Sequence, residues 1–459
     1  MISKITWPHS PEKGNPFGGI NGFRNLRITF HSGSFSDASF EETKALEMLY
    51  GLASLDNIDA LSFDGEIYPR VVFGNIFNEK DHIEFRVVDQ NNGALADGRT
   101  PVSRVDDNAI LWLTGIYKPS DVQTNEIVRQ NLLKAETHYF LHRDIFITLS
   151  PLLLKNREVL EHCNIYTPLQ ALKIVGLYLR MRGEFEWISE VQGKARFTTS
   201  RYNFYQFLSR GLLPKSWKYM SSLGLHPRHD ELVQLGWSII ERFSRALQAR
   251  DEIARLFYLP DTSGSEDQKS YHFDYLTLLL TSTLDVQALI MNKVYGFRLD
   301  DYNCGLRRRA FKEAVKSNPS SMNIDSLLEG NNGFIEILFK LRNKIHTTSL
   351  RTDISTPEIY PDELLDAIYQ YNSSNHWGIQ KQKVTVIQNK NPPVPSFKYS
   401  VDIYNLSCGL VDETCRLINS LMDETRIEDY LDKASVSKIK VSPPENILPY
   451  IESYLLLGK

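Results

Sequence analysis

The sequence predicts an α+β protein, and three patterns carry that prediction. Short apolar stretches alternate with turn residues up to Tyr117, as strands do. After Pro119 the texture changes to long runs of helix formers with apolar residues three and four apart. Two of these runs, Asp230–Tyr258 and Tyr271–Tyr295, are long enough to be paired helices of an antiparallel bundle. We therefore divide the 459 residues into a mixed α+β domain over 1–120, a helical middle region over 121–225, and a helical bundle with a C-terminal extension over 226–459.

Residues 1–24 are rich in proline and glycine and read as an irregular lead-in. Leu26–Phe30 alternates apolar and polar residues, as a half-buried strand does. Ser34–Asp37 is expected to cap a helix over Phe40–Leu55, where Leu46, Leu49 and Tyr50 recur at helical spacing. Ile58–Phe63 and Pro69–Phe73 read as strands around the turn Asp64-Gly65, His82–Val88 as an alternating strand, and Ala109–Tyr117 as a buried one. Val122–His138 reads as helix and continues toward Leu154. Thr167 and Pro168 open the next helix, which runs to Arg182. A threonine hydroxyl accepts from first-turn N–H groups, and proline lacks the N–H that would go unpaired there. Phe197–Trp217 interleaves aromatics with Arg201, Arg210 and Lys215. Such a mixture can stack on single-stranded nucleic acid, but at helical spacing its aromatics read first as core.

A turn-rich break at Gly224–Asp230 precedes the bundle. The polar stretch between its two long helices, residues 260–270, reads as a mobile loop. A shorter helix at Leu306–Ser317 follows, then a helix beginning at Gly333, and a further one within Pro357–Tyr371. Lys383–Ile387 is a candidate strand, Pro392–Pro395 a turn, Tyr399–Met422 a last long helix and Ile447–Leu457 a short one.

Composition narrows the classes. With 42% apolar and 24% charged residues the chain has the make-up of a soluble globular protein, and four cysteines, none in a CxxC pair, exclude a disulfide framework. A net charge of −4 gives no overall attraction for nucleic acid, so any RNA contact must use a local basic patch. Tyr275–Met291 is the most apolar stretch, but Asp285 and several threonines interrupt it, which makes it a core helix and not a membrane span. The N-terminus has no apolar run of the secretory kind, and the expected location is the cytoplasm. The motifs GxGxxG, GxxxxGK[ST], GxSxG and HExxH are absent, and no metal or organic cofactor is expected.

The chemistry concentrates in GFIEILFKLRNKIHTTSL, residues 333–350. Ile335, Leu338, Phe339 and Leu341 give an amphipathic helix, and Arg342 and His346, four apart, share a face near its end. A fixed cation, the Asn343 amide and a titratable imidazole then line one patch. The plain reading is that both cations favour the helix dipole and cap its last carbonyls. Asp285, inside an apolar helix, needs a partner if buried, and Arg342 is the available one. Arg307, Arg308 and Arg309 open a helix nearby and form the best local site for phosphates. His138 and His142 are also four apart, with Glu136 and Asp144 as neighbouring ligands for a metal, but no third ligand stands at a matching spacing. Arg157 and His162 repeat an Arg…His pair without the asparagine, in a different context, and read as chance.

The Arg342-Asn343…His346 string resembles the end of the third helix of HEPN domains, over residues 229–350. That family places an Arg, a polar residue beside it and a His, with four to six residues between Arg and His, at the meeting of two helical bundles. The resemblance implies a metal-independent ribonuclease that works as a homodimer, in bacterial stress response or anti-phage defence. It implies that Arg342 binds the scissile phosphate, that His346 moves a proton, and that Asn343 holds the polar position. RNA and a partner protein are the implied partners, and no membrane. Three residues separate Arg342 from His346, fewer than the family pattern has. That shortening supports a rival expectation, an interaction protein whose Arg342–His346 patch is structural.

Overall fold

The computed structural model describes residues 15–18, 22–65, 68–73, 82–91, 93–101, 122–158, 160–189, 195–217, 230–259, 263–347, 362–372, 376–384 and 396–427. Internal contacts divide the chain into two units, Ile2–Phe197 and Thr198–Lys459. A mixed sheet in the first and a mainly helical second make the protein α+β.

In the first unit β1 (Leu26–His31), α1 (Phe40–Leu52), β2 (Ile58–Phe63), β3 (Arg70–Phe73), β4 (His82–Val88), β5 (Ala94–Pro101), α2 (Val122–Phe140), β6 (Ile145–Ile147), α3 (Pro151–Lys155), β7 (Ile165–Tyr166) and α4 (Pro168–Met181) follow in order. Their strands form one sheet, β5-β4-β3-β2-β1-β6-β7. The five from β3 to β7 in that order are parallel, while β4 and β5 extend the sheet antiparallel. A separate pair, β8 (Glu186–Ser189) and β9 (Ala195–Thr198), follows.

Alternation along β1 sets the two faces. Phe30 stacks obliquely on Tyr50 of α1, with centroids 4.8 Å apart, and the Tyr178 hydroxyl of α4 reaches the carbonyls of Arg24 and Asn57. Thr29 and His31 point to the other face, toward His138 and Lys134 of α2. There Val128, Leu132 and Ala135 of α2 join Leu61, Phe63, Val71, Phe146, Leu152 and Leu153 in one apolar core. Helices therefore cover both faces, as a parallel sheet requires.

The sheet reaches well past residue 120. Residues 121–197, expected as helix, supply β6 and β7. Instead of running on to Leu154, α2 ends at Phe140, and His142 turns through a left-handed backbone, φ 52°. Asp144 explains the break. Its carboxylate accepts from both Arg24 terminal nitrogens, at 2.6 Å each, and from the Arg27 N–H at 2.9 Å, which fastens the chain beside β1. Ile145-Phe146-Ile147 is buried on both sides, so it shows no alternation to distinguish it from helix. β2 and β3 run parallel, so Asp64-Gly65 does not close a hairpin. The cap of α1 is Ser39, whose hydroxyl accepts from the Glu42 N–H, rather than Ser34–Asp37, and the helix ends at Leu52 rather than Leu55. At α4 the start is as read, with Thr167 and Gln170 completing a reciprocal capping box. The lead-in is described only at 15–18 and 22–24, and Ala109–Tyr117 lies outside the described residues.

The second unit contains α5 (Arg201–Leu212), α6 (Asp230–Tyr258), α7 (Ser263–Tyr295), α8 (Arg309–Ser317), α9 (Met322–Gly330), α10 (Asn332–Thr347), α11 (Asp362–Tyr371), β10 (Ile379–Val384), β11 (Ser396–Val401) and α12 (Ile403–Glu424). α6 and α7 pack along each other, and α12 packs against both. Their short connection makes them antiparallel. Phe243, Leu247, Leu276, Leu280, Leu284, Leu338, Leu410 and Leu417 fill the core. Residues 263–270, expected as loop, are the first turns of α7. Glu266 in the first turn favours the dipole and pairs with Lys269, while Ser265, Lys269 and Ser270 are buried. Burial of small polar residues leaves no apolar period to read. The candidate strand at Lys383–Ile387 is displaced to β10, and β11 occupies the start of the expected last helix. The turn at Pro392–Pro395 and the short helix at Ile447–Leu457 lie outside the described residues.

Candidate functional site

In the helical unit α10 carries Arg342, Asn343 and His346, with His346 on its last turn. The Arg342 Nη1 lies 3.7 Å from the Asp285 Oδ2 of α7, and each side chain is a little over one-third exposed. The expected partnership therefore forms at the half-buried margin of the bundle. Burial raises the Asp285 carboxyl, and Arg342, then Arg242 of α6 and Arg308, oppose that rise. Three guanidinium groups from different segments thus act on one carboxylate. The Arg342 guanidinium also lies over the Phe339 ring, 5.9 Å from its centroid. Asn343 is exposed, and the side chain of His346 lies outside the described residues.

The arginine run does not act as one patch. α8 begins only at Arg309, so Arg307 and Arg308 precede the helix they were expected to open. Arg307 donates two 3.0 Å hydrogen bonds to Glu336 of α10, and Arg309 pairs with Glu313 one turn on. Arg308 lies over the Tyr302 ring at 4.5 Å and within electrostatic reach of Asp285. Of the three, Arg308 is the one that joins Arg342. The aromatic stretch before α6 is core in part, with Phe204, Tyr205 and Leu208 buried. Its Arg210 lies over Trp217 at 4.1 Å and near Trp237 at 5.4 Å.

The first unit holds a second polar assembly, which the sequence did not announce. It sits at the C-terminal ends of the parallel strands. His31 ends β1, Asp64 follows β2, Thr148 follows β6, Ser34 closes the turn after β1, and Lys134 reaches in from α2. Lys134 Nζ lies 3.4 Å from His31 Nε2 and pairs with Asp64. His31 Nδ1 lies 2.9 Å from Thr148 Oγ1, whose hydroxyl donates to Ser34 Oγ at 3.1 Å. Ser34 in turn donates to the His31 carbonyl at 2.7 Å. An ammonium can only donate, so Nε2 accepts and Nδ1 carries the proton. Burial, reinforced by the Lys134 charge, pushes the His31 imidazole down to about 4 against the pull of Asp64. His31 is thus a neutral relay in an ordered donor chain. Its sequence signal was slight: a histidine ending an apolar strand, followed by Ser-Gly-Ser.

The pair His138 and His142 does not form the metal cluster weighed for it. His138 is fully buried and bonds Thr29, and Asp144 is engaged by Arg24. Glu136 instead meets His162 at 3.1 Å, and Cys163 joins them with ligand atoms within 4.8 Å of one another. Among the described residues these are the donors spaced to hold a metal ion. The four cysteines form no disulfide. Among the described residues no helix is long and apolar enough to cross a membrane. Comparison with protein-family models, with curated proteins and with solved structures gave no match.

Proposed function

We propose that the helical unit acts on RNA as a HEPN-like, metal-independent endoribonuclease. The observation that carries this reading is the Arg342–Asp285 pair, with Arg308 beside it. A carboxylate that orients one guanidinium while two others stand near makes a site for a phosphodiester, because Arg forks match phosphate oxygens. Arg342 then stabilises charge on the phosphate as it develops, and His346 moves the proton of the attacking 2′-hydroxyl. One helix end supplies too few groups, so the reading requires a homodimer that brings two such ends together. The setting is the bacterial cytoplasm, in defence against phage or in stress response, with the first unit sensing, recruiting or regulating.

A second reading, a non-catalytic interaction module, draws on a specific observation. Arg307 and Arg309 are already neutralised by Glu336 and Glu313, so little unpaired basic surface from the run is left for RNA. RNA cleavage by purified protein in EDTA separates the two. Wild type should cut, and Arg342→Ala and His346→Ala should each lose about 10²–10⁴-fold in rate while remaining folded. No cleavage of total RNA or tRNA by the wild type favours the interaction module. Cleavage that survives both substitutions removes the site from this helix.

A further inference from the structure

The first unit places its polar assembly at one particular point of the sheet. From β1 the chain leaves through α1, on the Tyr50 face, and moves toward β2 and β3. From β6 it leaves through α3, whose Leu152 and Leu153 lie in the core on the α2 face, and moves the other way to β7. Between β1 and β6 the order reverses. At such a reversal the two connections diverge, and in open parallel sheets ligands bind in the crevice outside the carboxyl ends of the strands there.

The groups at this crevice suit one chemistry. The hydroxyls of Thr148 and Ser34 and both His31 nitrogens are committed to one another and to Lys134. What opens outward is the Asp64 carboxylate, 42% exposed; it holds the Lys134 ammonium behind it, 12% exposed. Asp64 stands immediately after the second parallel strand with a left-handed backbone, φ 56°. The turn after β1 closes on it. A Cβ on Gly33 would lie 3.0 Å from the Asp64 Oδ2, so glycine lets this turn approach the acid. A carboxylate at the end of the second strand accepts from vicinal sugar hydroxyls, and an ammonium beside it meets a phosphate. We propose that the β1–β6 switch point of the first unit binds a ribonucleotide, with Asp64 on its ribose hydroxyls and Lys134 on its phosphate. The relay His31–Thr148–Ser34 is the positioning layer that keeps Lys134 directed at the crevice.

Titration calorimetry on the full chain tests this with ADP as the probe, and ATP and NAD in parallel. Wild type should bind ADP saturably, and 2′,3′-dideoxy-ADP about 10–100-fold more weakly, the weight of hydrogen bonds to a charged group. Asp64→Asn should weaken ADP by a similar factor and erase the discrimination against the dideoxy form. Lys134→Met should erase the preference for ADP over adenosine. Arg342→Ala should leave all of these unchanged, which keeps the test separate from RNA cleavage. The absence of saturable binding of ADP, ATP and NAD at millimolar concentration overturns the proposal. So does binding indifferent to the ribose hydroxyls, or binding that Arg342→Ala abolishes and Asp64→Asn does not. The dideoxy comparison uses wild-type protein alone, so it decides even if a variant fails to fold.

Discussion

Both units pair a cation with an aspartate, and they do so in opposite ways. In the sheet unit the Asp144 carboxylate is fully buried, holds Arg24 through two 2.6 Å contacts and takes a backbone N–H as well. In the helical unit Arg342 and Asp285 meet once, at 3.7 Å, each about one-third exposed. Enclosure separates them. A buried charge is tolerable only when every lone pair is met, so such an assembly becomes part of the fold. A half-exposed pair is screened by water and contributes little to stability, which leaves it able to exchange partners. The difference teaches where to look for each role. The buried pair builds the frame, and the looser pair, Asp285–Arg342, stands where a ligand can compete; Asp64–Lys134 is intermediate, close in contact but with its carboxylate open to solvent.

The largest effect that would break this contrast is expected at Asp144. Asp144→Ala leaves Arg24 and the Arg27 N–H without their acceptor beside β1, and should cost about 3–5 kcal/mol. Urea unfolding reads it, and a loss below about 1 kcal/mol would remove the distinction.

Next comes pH. With its imidazole at about 4, against 6.5 in the unfolded chain, His31 binds fewer protons folded than unfolded between those values. Stability from this group is complete above 6.5 and is lost as pH falls toward 4, by about 3 kcal/mol in all. The neighbouring charges are Lys134, which lowers this histidine, and Asp64, which raises it. Hydrogen exchange of the β1 amides should speed up across that window, and His31→Gln should flatten the change. A flat wild-type profile would show that His31 is not held neutral.

The smallest effect sharpens the other side. Burial raises the Asp285 carboxyl, so Asp285→Asn relieves a desolvation cost while losing one screened contact. Its stability should stay within about 1 kcal/mol of wild type, with RNA cleavage falling more than stability does. A large destabilisation would make Asp285 part of the frame, like Asp144.

Many of the helices were legible beforehand. The bounds of α6 follow from its apolar period, and the start of α4 from Thr167 and Pro168, because helical spacing and capping are local properties. Arg342 and Asp285 could be matched from the sequence because each stood out against an apolar helix. In the first unit the helices α1, α2 and α4 and most of the strands were legible one by one. Its parallel order could not be read, since β6 has three residues and β7 two, too short and too buried to alternate.

What the sequence determined by itself is therefore the α+β class, the long helices and the residues that stand out chemically within them. Pairing within the sheet unit was decided by the tertiary structure alone. His31, Asp64, Lys134 and Thr148 come from four separate elements, with up to 117 positions between hydrogen-bonded partners. No local pattern encodes their meeting. It arises because parallel strands joined by crossovers bring their carboxyl ends to one edge, and the reversal between β1 and β6 leaves that edge open.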